Sequence, residues 1–135
     1  MSAEENVHAV EAIFEAFGRG DIPYILDQLT DDVHFVAHLD PSVPWSGAYS
    51  GKANVPGFFQ ALGSSVEVTG HPVNQLVAQG DTVVALGEVT FGVRSTGKTS
   101  SSSWVYIWKL RDGKVYSYDQ FNDAGLASGI RLVRR

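Results

Sequence analysis

The chain has 135 residues, of which 44% are hydrophobic and 19% charged, which is the balance of an ordinary globular domain. Its net charge of −5 argues against a nucleic-acid-binding or anionic-membrane surface, and no stretch approaches the ~18 apolar residues of a membrane span. The absence of cysteine excludes a disulfide framework and thiolate chemistry. We therefore expect one cytoplasmic domain covering residues 1–135, with the terminal Arg131, Arg134 and Arg135 in a solvated tail.

The N-terminal segment predicts two helices. Ser2 and Glu5 fit a capping box, in which each side chain bonds the main chain of the other residue. A helical stripe of apolar residues follows at spacings of three and four, formed by Val7, Val10, Phe14 and Phe17. Glycines at positions 18 and 20 end this helix, and Asp21 caps a second short one.

The middle of the chain predicts a strand, a loop and a third helix. Residues 32–39 alternate apolar and polar side chains, which is typical of a strand. Residues 40–51 contain Pro41, Pro44 and Gly47 and are expected to form a long loop. Residues 53–62 predict a helix, in which Pro56 is tolerated because it lies in the first turn.

Four consecutive strands are predicted next, over residues 66–78, 82–94, 99–110 and 114–122. His71-Pro72 breaks the first of them, and Asp112-Gly113 predicts a type I′ hairpin turn between the last two. The tail from Asp123 is expected to form a last helical turn.

This order of elements predicts an α+β fold. A long antiparallel (mixed) sheet curves around three N-terminal helices, giving a cone with a pocket between the two layers. Trp104, Tyr106 and Trp108 share one face of their strand, and Asp119, Phe121 and Asp123 share one face of the next. We interpret these aromatic and acidic side chains as the wall of that pocket.

Several short strings add a resemblance to this pattern. They are residues 17–21 (FGRGD), 29–33 (LTDDV), 44–51 (PWSGAYSG) leading to Phe58-Phe59, and 111–115 (RDGKV) leading to Asp123. In this order they resemble the nuclear transport factor two-like superfamily, specifically its SnoaL-like polyketide cyclase and ketosteroid isomerase-related branch. The resemblance implies a cystatin-like cone, a homodimer formed by the convex sheet faces, and a small apolar ligand of cyclic or polyketide-like structure.

The resemblance does not extend to the ketosteroid isomerase machinery. The tyrosine that those enzymes place on the first helix falls near Ile13 or Phe14, and their general-base aspartate falls at Ala37. Their second oxyanion donor falls at Tyr106. Two of the three roles lack their residue, so ketosteroid isomerisation itself is not expected.

Three residues remain as catalytic candidates. Tyr106 occupies the position of a pocket donor and could stabilise an oxyanion, although it could also be a core tyrosine. His38 lies beside the isomerase base position and could replace that base, although a lone histidine beside a loop is more often a surface residue. Asp123 ends the last strand, where relatives keep a cavity-facing aspartate, and burial would raise its pKa; its alternative role is a helix cap.

Other residues are expected to contact the ligand. Asp119 could act with Asp123 as a carboxylate pair, and Glu88, inside an apolar strand, indicates a wet cavity or a charge partner such as Arg94 or Lys109. The remaining candidates are aromatic lining or lid residues: Phe14, Phe35, Trp45, Tyr49, Phe58, Trp104, Trp108 and Phe121. His34 and His38 would lie about 13 Å apart on a strand, so we expect no metal site.

The sequence therefore leaves two hypotheses of different class. The first is a small-molecule-binding protein that acts as an isomerase, cyclase or dehydratase by cofactor-free proton transfer on an apolar carbonyl compound. The second is a non-catalytic ligand-binding or dimerisation module. A cavity with two or more convergent polar groups would favour the enzyme.

Overall fold

In a computed structural model that describes residues 2–131, the first two helices begin at the predicted capping residues. Helix α1 (Ala3–Gly18) has the complete capping box, with Glu5 N donating to Ser2 Oγ at 3.1 Å and Ser2 N to Glu5 Oε1 at 3.0 Å. Helix α2 (Ile22–Asp27) is capped by Asp21, which accepts from Tyr24 N at 3.1 Å. Such caps satisfy main-chain N–H groups that the first helical turn leaves unpaired.

The other elements form one sheet, a third helix and a C-terminal helix. Helix α3 spans Val55–Ser65 after a short 3₁₀ turn, Lys52–Asn54, and helix α4 spans Ala124–Arg131. The strands are β1 (Leu29–His38), β2 (Gly47–Ser50), β3 (Val66–Gly70), β4 (Val73–Gln79), β5 (Thr82–Val93), β6 (Thr99–Arg111) and β7 (Lys114–Asn122). Arg134 and Arg135, and with them much of the predicted tail, lie outside the described residues.

The seven strands lie in the order β2-β1-β7-β6-β5-β3, and β4 also pairs with β5. Every pairing is antiparallel except that of β1 with β7, so the sheet is mixed. The sheet is open and curved, and the side chains on its helix-covered face form the core, including those of Trp104, Tyr106 and Trp108. The predicted α+β cone fold is confirmed.

Three local predictions are corrected. Residues 40–51 are not wholly loop, because β2 lies within them and pairs with β1. Residues 66–78 form two strands, since Pro72 lacks an N–H and separates β3 from β4, which both pair with β5. The expected turn after Asp123 is the eight-residue helix α4, which makes a fourth helix over the described residues.

The β6–β7 hairpin turns as predicted, but its register changes close to the turn. Asp112 and Gly113 have φ angles of 52° and 79°, as a type I′ turn requires. Beyond the turn the register shifts by one residue between Leu110 and Lys109, so that Lys109 pairs with Ser117. Such a bulge moves every later side chain of one strand to the opposite face of the sheet.

The bulge overturns one prediction about the pocket wall. A regular hairpin would place Asp119 opposite Tyr106 and Phe121 opposite Trp104. In the structure Gln120 lies opposite Tyr106, and Trp104 and Trp108 face Asn122 and Tyr118. The helix-covered face of β7 therefore carries neutral polar side chains, whereas Asp119 and Phe121 project from the other face.

Gly87 provides the space for Trp104. A Cβ at this position would fall on the carbonyl oxygen of Pro72 and on the Trp104 ring. Only glycine at this position therefore allows the buried indole to pack over β5.

Within residues 2–131 no helix is long and apolar enough to span a membrane.

Replacing Gly87→Ala should lower the free energy of unfolding by about 2 kcal/mol, because overpacking forces main chain and indole apart. Gly92→Ala is the matched control on the same strand, since its Cβ would meet only Lys98 O at 4.0 Å. Urea unfolding followed by tryptophan fluorescence measures both. Equal effects of the two substitutions would contradict this role of Gly87.

Candidate functional site

A cavity of about 80 Å³ lies between the helices and the covered face of the sheet. Most of its wall is apolar: Ile13, Phe14, Phe17, Ile25, Phe35, Trp45, Phe58, Phe59, Leu62, Val66, Val68, Val89, Phe91, Trp108 and Leu126. Its polar side chains are those of His71, Tyr106, Tyr118, Gln120 and Asn122. Seven lining residues are only half-buried, so a ligand could enter past their side chains: Phe14, Phe17, Phe59, Leu62, Val68, His71 and Asn122.

Stacked rings form the floor of the cavity. Tyr106 lies on Trp104 with ring centroids 3.9 Å apart and planes 10° apart. His71 lies parallel to Trp104 at 4.8 Å, and Phe14 contacts the same stack from α1 at 5.8 Å. Trp104 lies behind Tyr106 and is 2% exposed, so it supports the floor rather than facing the cavity.

Tyr106 and His71 share a hydrogen bond at this floor. Tyr106 Oη and His71 Nε2 are 3.0 Å apart. Burial lowers the pKa of His71 to about 4, so the imidazole is neutral at pH 7. Burial also raises the pKa of Tyr106 far above its ordinary value, so the phenol keeps its proton. The bond between them uses one hydrogen, so the tautomer of His71 decides whether the phenolic O–H or an imidazole N–H is left for a ligand.

A second polar group lies beside this pair on β7. Tyr118 Oη donates to Gln120 Oε1 at 2.8 Å, and Gln120 Nε2 donates to Asn122 Oδ1 at 3.1 Å. Burial, followed by the nearby Tyr106 and Asp119, raises the pKa of Tyr118 well above its ordinary value. Gln120 is the register partner of Tyr106, so both polar groups stand side by side on one face.

The loop before α3 closes one end of the cavity. Trp45 is buried and lines it together with Phe35 and Phe58. Tyr49 stands behind these rings, 5.7 Å from Phe58 in an edge-to-face contact, and its hydroxyl donates to Trp45 O at 3.0 Å. Of the residues predicted to contact the ligand, Phe14, Phe35, Trp45, Phe58 and Trp108 line the cavity.

His38 and Asp119 lie outside the cavity, on the uncovered face of the sheet. His38 Nε2 is 2.7 Å from Asp119 Oδ1, and the imidazole stacks on Phe121 at 4.5 Å with planes 3° apart. This arrangement follows from strand parity, since His38 alternates with the buried Ala37 and Asp119 with the buried Tyr118 and Gln120. The expectation that His38, Asp119 and Phe121 face the ligand is corrected.

Asp123 and Glu88 also lie away from the cavity. Asp123 accepts hydrogen bonds from Ser103 N, the Ser102 hydroxyl and Gly125 N. These bonds lower its pKa, chiefly through the Ser103 main chain, whereas burial was expected to raise it. Glu88 is exposed on the uncovered face, and its expected partner Arg94 instead donates to Gly63 O at 2.7 Å.

Sequence reasoning missed His71, Tyr118, Gln120 and Asn122. His71 was recognised only as part of a break between strands, and nothing in its neighbours indicates that it folds back over Trp104. The β7 residues were missed because the bulge reverses the parity assumed from the turn. Within residues 2–131 no three histidine, aspartate or glutamate side chains lie close enough to hold a metal ion.

Comparison with known proteins places this geometry among related folds. The model of the SnoaL-like domain matches residues 10–118. The structure is similar to an NTF2-like protein from Burkholderia xenovorans LB400, with 31% identity, a TM-score of 0.85, and coverage of 96% of this chain and 98% of that one. A comparison with curated protein sequences gives no match.

Two further structures are similar at lower identity. An NTF2-like protein of unknown function from Burkholderia pseudomallei K96243 has 23% identity and a TM-score of 0.85, with all of both chains covered. TerC, co-crystallised with polyporic acid, has 24% identity and a TM-score of 0.78, with 97% of this chain and 99% of that one covered. At these identities the likeness concerns the fold.

The buried His71 predicts an acid-dependent loss of stability. The pKa of His71 falls from 6.5 to about 4 on folding. Between these two pH values the imidazole is therefore protonated in the unfolded chain and neutral in the folded chain. The free energy of unfolding should therefore fall as the pH drops from 6.5 to 4, by about 3 kcal/mol for this residue.

His71→Gln should remove this part of the pH dependence, measured by urea unfolding at pH 7.5, 6, 5 and 4. The comparison uses the slope against pH, because the substitution also changes packing on Trp104. His34→Gln, at an exposed position, is the control and should keep the loss. An unchanged slope in His71→Gln would contradict the burial of a neutral imidazole.

Proposed function

The chain belongs to the SnoaL-like domain family, and on that premise we propose that it binds an apolar carbonyl compound and transfers a proton on it without a cofactor. The observation that carries this proposal is the hydrogen-bonded pair Tyr106–His71 on the floor of an otherwise apolar cavity. Isomerisation, aldol cyclisation and dehydration all begin with such a transfer.

The two side chains have complementary roles in this proposal. Tyr106 donates its O–H to the carbonyl oxygen and stabilises the oxyanion that forms, in a site where low polarity strengthens the bond. This pair of roles requires the tautomer in which neutral His71 donates its Nε2–H to Tyr106 Oη, so that the phenolic hydrogen stays available and the lone pair of Nδ1 accepts the proton from carbon. His71 thus takes the base role first considered for His38 and Asp123.

The low basicity of His71 restricts the substrate. Proton transfer is efficient when the pKa values of base and substrate are close, and a pKa of about 4 belongs to a weak base. The matching substrate has a C–H bond acidified by two carbonyl groups, as in a polyketide-like 1,3-dicarbonyl compound. The cavity of about 80 Å³ further favours a single ring, with Phe14, Phe17 and Phe59 moving aside on entry.

One observation favours a second candidate, a binding module without chemistry. The part of the cavity wall that the structure describes contains no carboxylate, and a carboxylate would be the stronger base. The same aromatic floor would then hold a flat ligand, and Tyr106 would only orient its carbonyl group.

Deuterium exchange distinguishes the two candidates without knowledge of the substrate. The probes are 2-acetylcyclohexanone and 2-acetylcyclopentanone in D₂O, with NMR measurement of the exchange at the carbon between the two carbonyl groups. Tyr106→Phe and His71→Gln should each lower the protein-dependent rate by about 10²–10⁴-fold, the usual contribution of one acid–base group.

Two residues outside the cavity wall provide matched controls for this experiment. Tyr116→Phe removes a phenol that donates to Asp81 at 2.9 Å, and His34→Gln removes an exposed imidazole. Both should leave the rate unchanged. Binding of the probes without any exchange would reject the enzyme and leave the binding module, whereas exchange that survives both site substitutions would reject the roles of Tyr106 and His71.

We also propose that the uncovered face of the sheet forms a homodimer with a second copy of the chain. This face carries neighbouring apolar side chains on five strands: Val36, Val77, Val84, Leu86, Val105, Ile107 and Phe121. Val77 is 49% and Phe121 41% exposed, which is unusual for large apolar side chains. A twofold axis would pair this face with itself.

Ile107→Glu should convert the dimer to a monomer, because a charge would be buried in an apolar interface. Sedimentation equilibrium measures the mass, and Lys109→Gln, two residues along the same strand and face, should leave it unchanged. A wild-type protein that sediments as a monomer would refute the homodimer.

A further inference from the structure

A chain of hydrogen bonds leads from the cavity to the surface of the protein. After the bonds from Tyr118 to Gln120 and from Gln120 to Asn122, Asn122 Nδ2 donates to Ser102 Oγ at 3.2 Å. Ser102 Oγ donates to Asp123 Oδ1 at 2.9 Å. Tyr118 and Gln120 are buried at one end, and the carboxylate of Asp123 is exposed at the other.

The chemistry of Asp123 sets the donor and the acceptor in every hydrogen bond of this series. An ionised carboxylate only accepts, so the single hydrogen of Ser102 points to Asp123, or to Ser103 O at 3.1 Å. In both cases the lone pairs of Ser102 face Asn122, which must therefore present its NH₂ group there. Its oxygen then faces Gln120, and Gln120 must donate to it.

The same logic fixes what the cavity offers to a ligand. Because the NH₂ group of Gln120 faces Asn122, its Oε1 faces Tyr118. The single hydroxyl hydrogen of Tyr118 is donated to this oxygen. Tyr118 can then only accept from a ligand, and Gln120 keeps one amide hydrogen that has no partner among the described residues. The acceptor and the donor belong to neighbouring groups, since Tyr118 Oη is 2.8 Å from Gln120 Oε1, which is in the same amide group as the donor Nε2.

We propose that Asp123 and Ser102 are positioning residues that hold the Gln120 amide in one orientation, and that the cavity thereby selects a carbonyl compound that also carries a hydroxyl group. The ligand's carbonyl oxygen has two lone pairs and accepts from Gln120 Nε2 as well as from its register partner Tyr106, and the ligand's hydroxyl group donates to Tyr118 Oη. This inference rests on the proposed function, because it names the class of carbonyl compound that the same cavity binds.

Ser102 is the residue at which the proposal is best tested. Ser102→Ala removes the link between Asn122 and Asp123 but leaves the bonds of Asp123 to Ser103 N and Gly125 N at the start of α4. Ser103→Ala is the matched control, because the described bonds of Ser103 to this cluster use its main chain. Both substitutions keep the size of the strand residue nearly unchanged.

The measurement is the ratio of dissociation constants for acetophenone and for 2-, 3- and 4-hydroxyacetophenone, from quenching of tryptophan fluorescence. The wild-type protein should bind at least one hydroxylated ketone about tenfold more tightly than acetophenone, since a buried acceptor left unpaired carries a penalty of that order. Ser102→Ala should lose this preference, and Ser103→Ala should keep it.

A merely structural role of Ser102 would change the affinity for all four ketones alike and leave the ratio intact, which would overturn the proposal. Equal binding of acetophenone and the hydroxylated ketones by the wild-type protein would overturn it as well, while leaving carbonyl binding in place. If none of the four ketones binds, the proposed function fails and this inference fails with it.

Discussion

The one-residue bulge in the β6–β7 hairpin decides the chemistry of the cavity. A type I′ turn alone would set Asp119 beside Tyr106 and give a carboxylate-lined site. The bulge instead places Tyr118, Gln120 and Asn122 opposite the aromatic residues of β6. Because side chains alternate along a strand, one inserted residue exchanges a charged wall for a neutral one and moves the charges to the uncovered face.

The two faces of the sheet consequently differ in the side chains that they carry. The covered face combines the Trp104–Tyr106 stack with the amides of β7, which lie on strands, and with His71, which lies in the short connection between β3 and β4. The uncovered face carries apolar side chains around the His38–Asp119 pair, which suits contact with another protein surface. Asp123 lies where the strand ends and links the interior network to the start of α4.

The sequence predicts the fold well and the site only in part. Caps, glycines and the Asp112-Gly113 turn are local, so helices, most strands and the ring of Tyr106 could be placed from neighbouring residues. A bulge depends on how two strands pair, and nothing in residues 114–117 shows that Tyr116 is the inserted one. His71 was missed for a similar reason, because its place above Trp104 depends on the long-range pairing of both β3 and β4 with β5.

The register of β6 against β7 is the most direct test of this account, and cross-strand main-chain NOEs in the NMR spectrum of the wild-type protein measure it. The structure requires contacts between Tyr106 and Gln120 and between Trp104 and Asn122. Contacts that instead pair Tyr106 with Asp119 and Trp104 with Phe121 would return the carboxylates to the cavity and contradict the account.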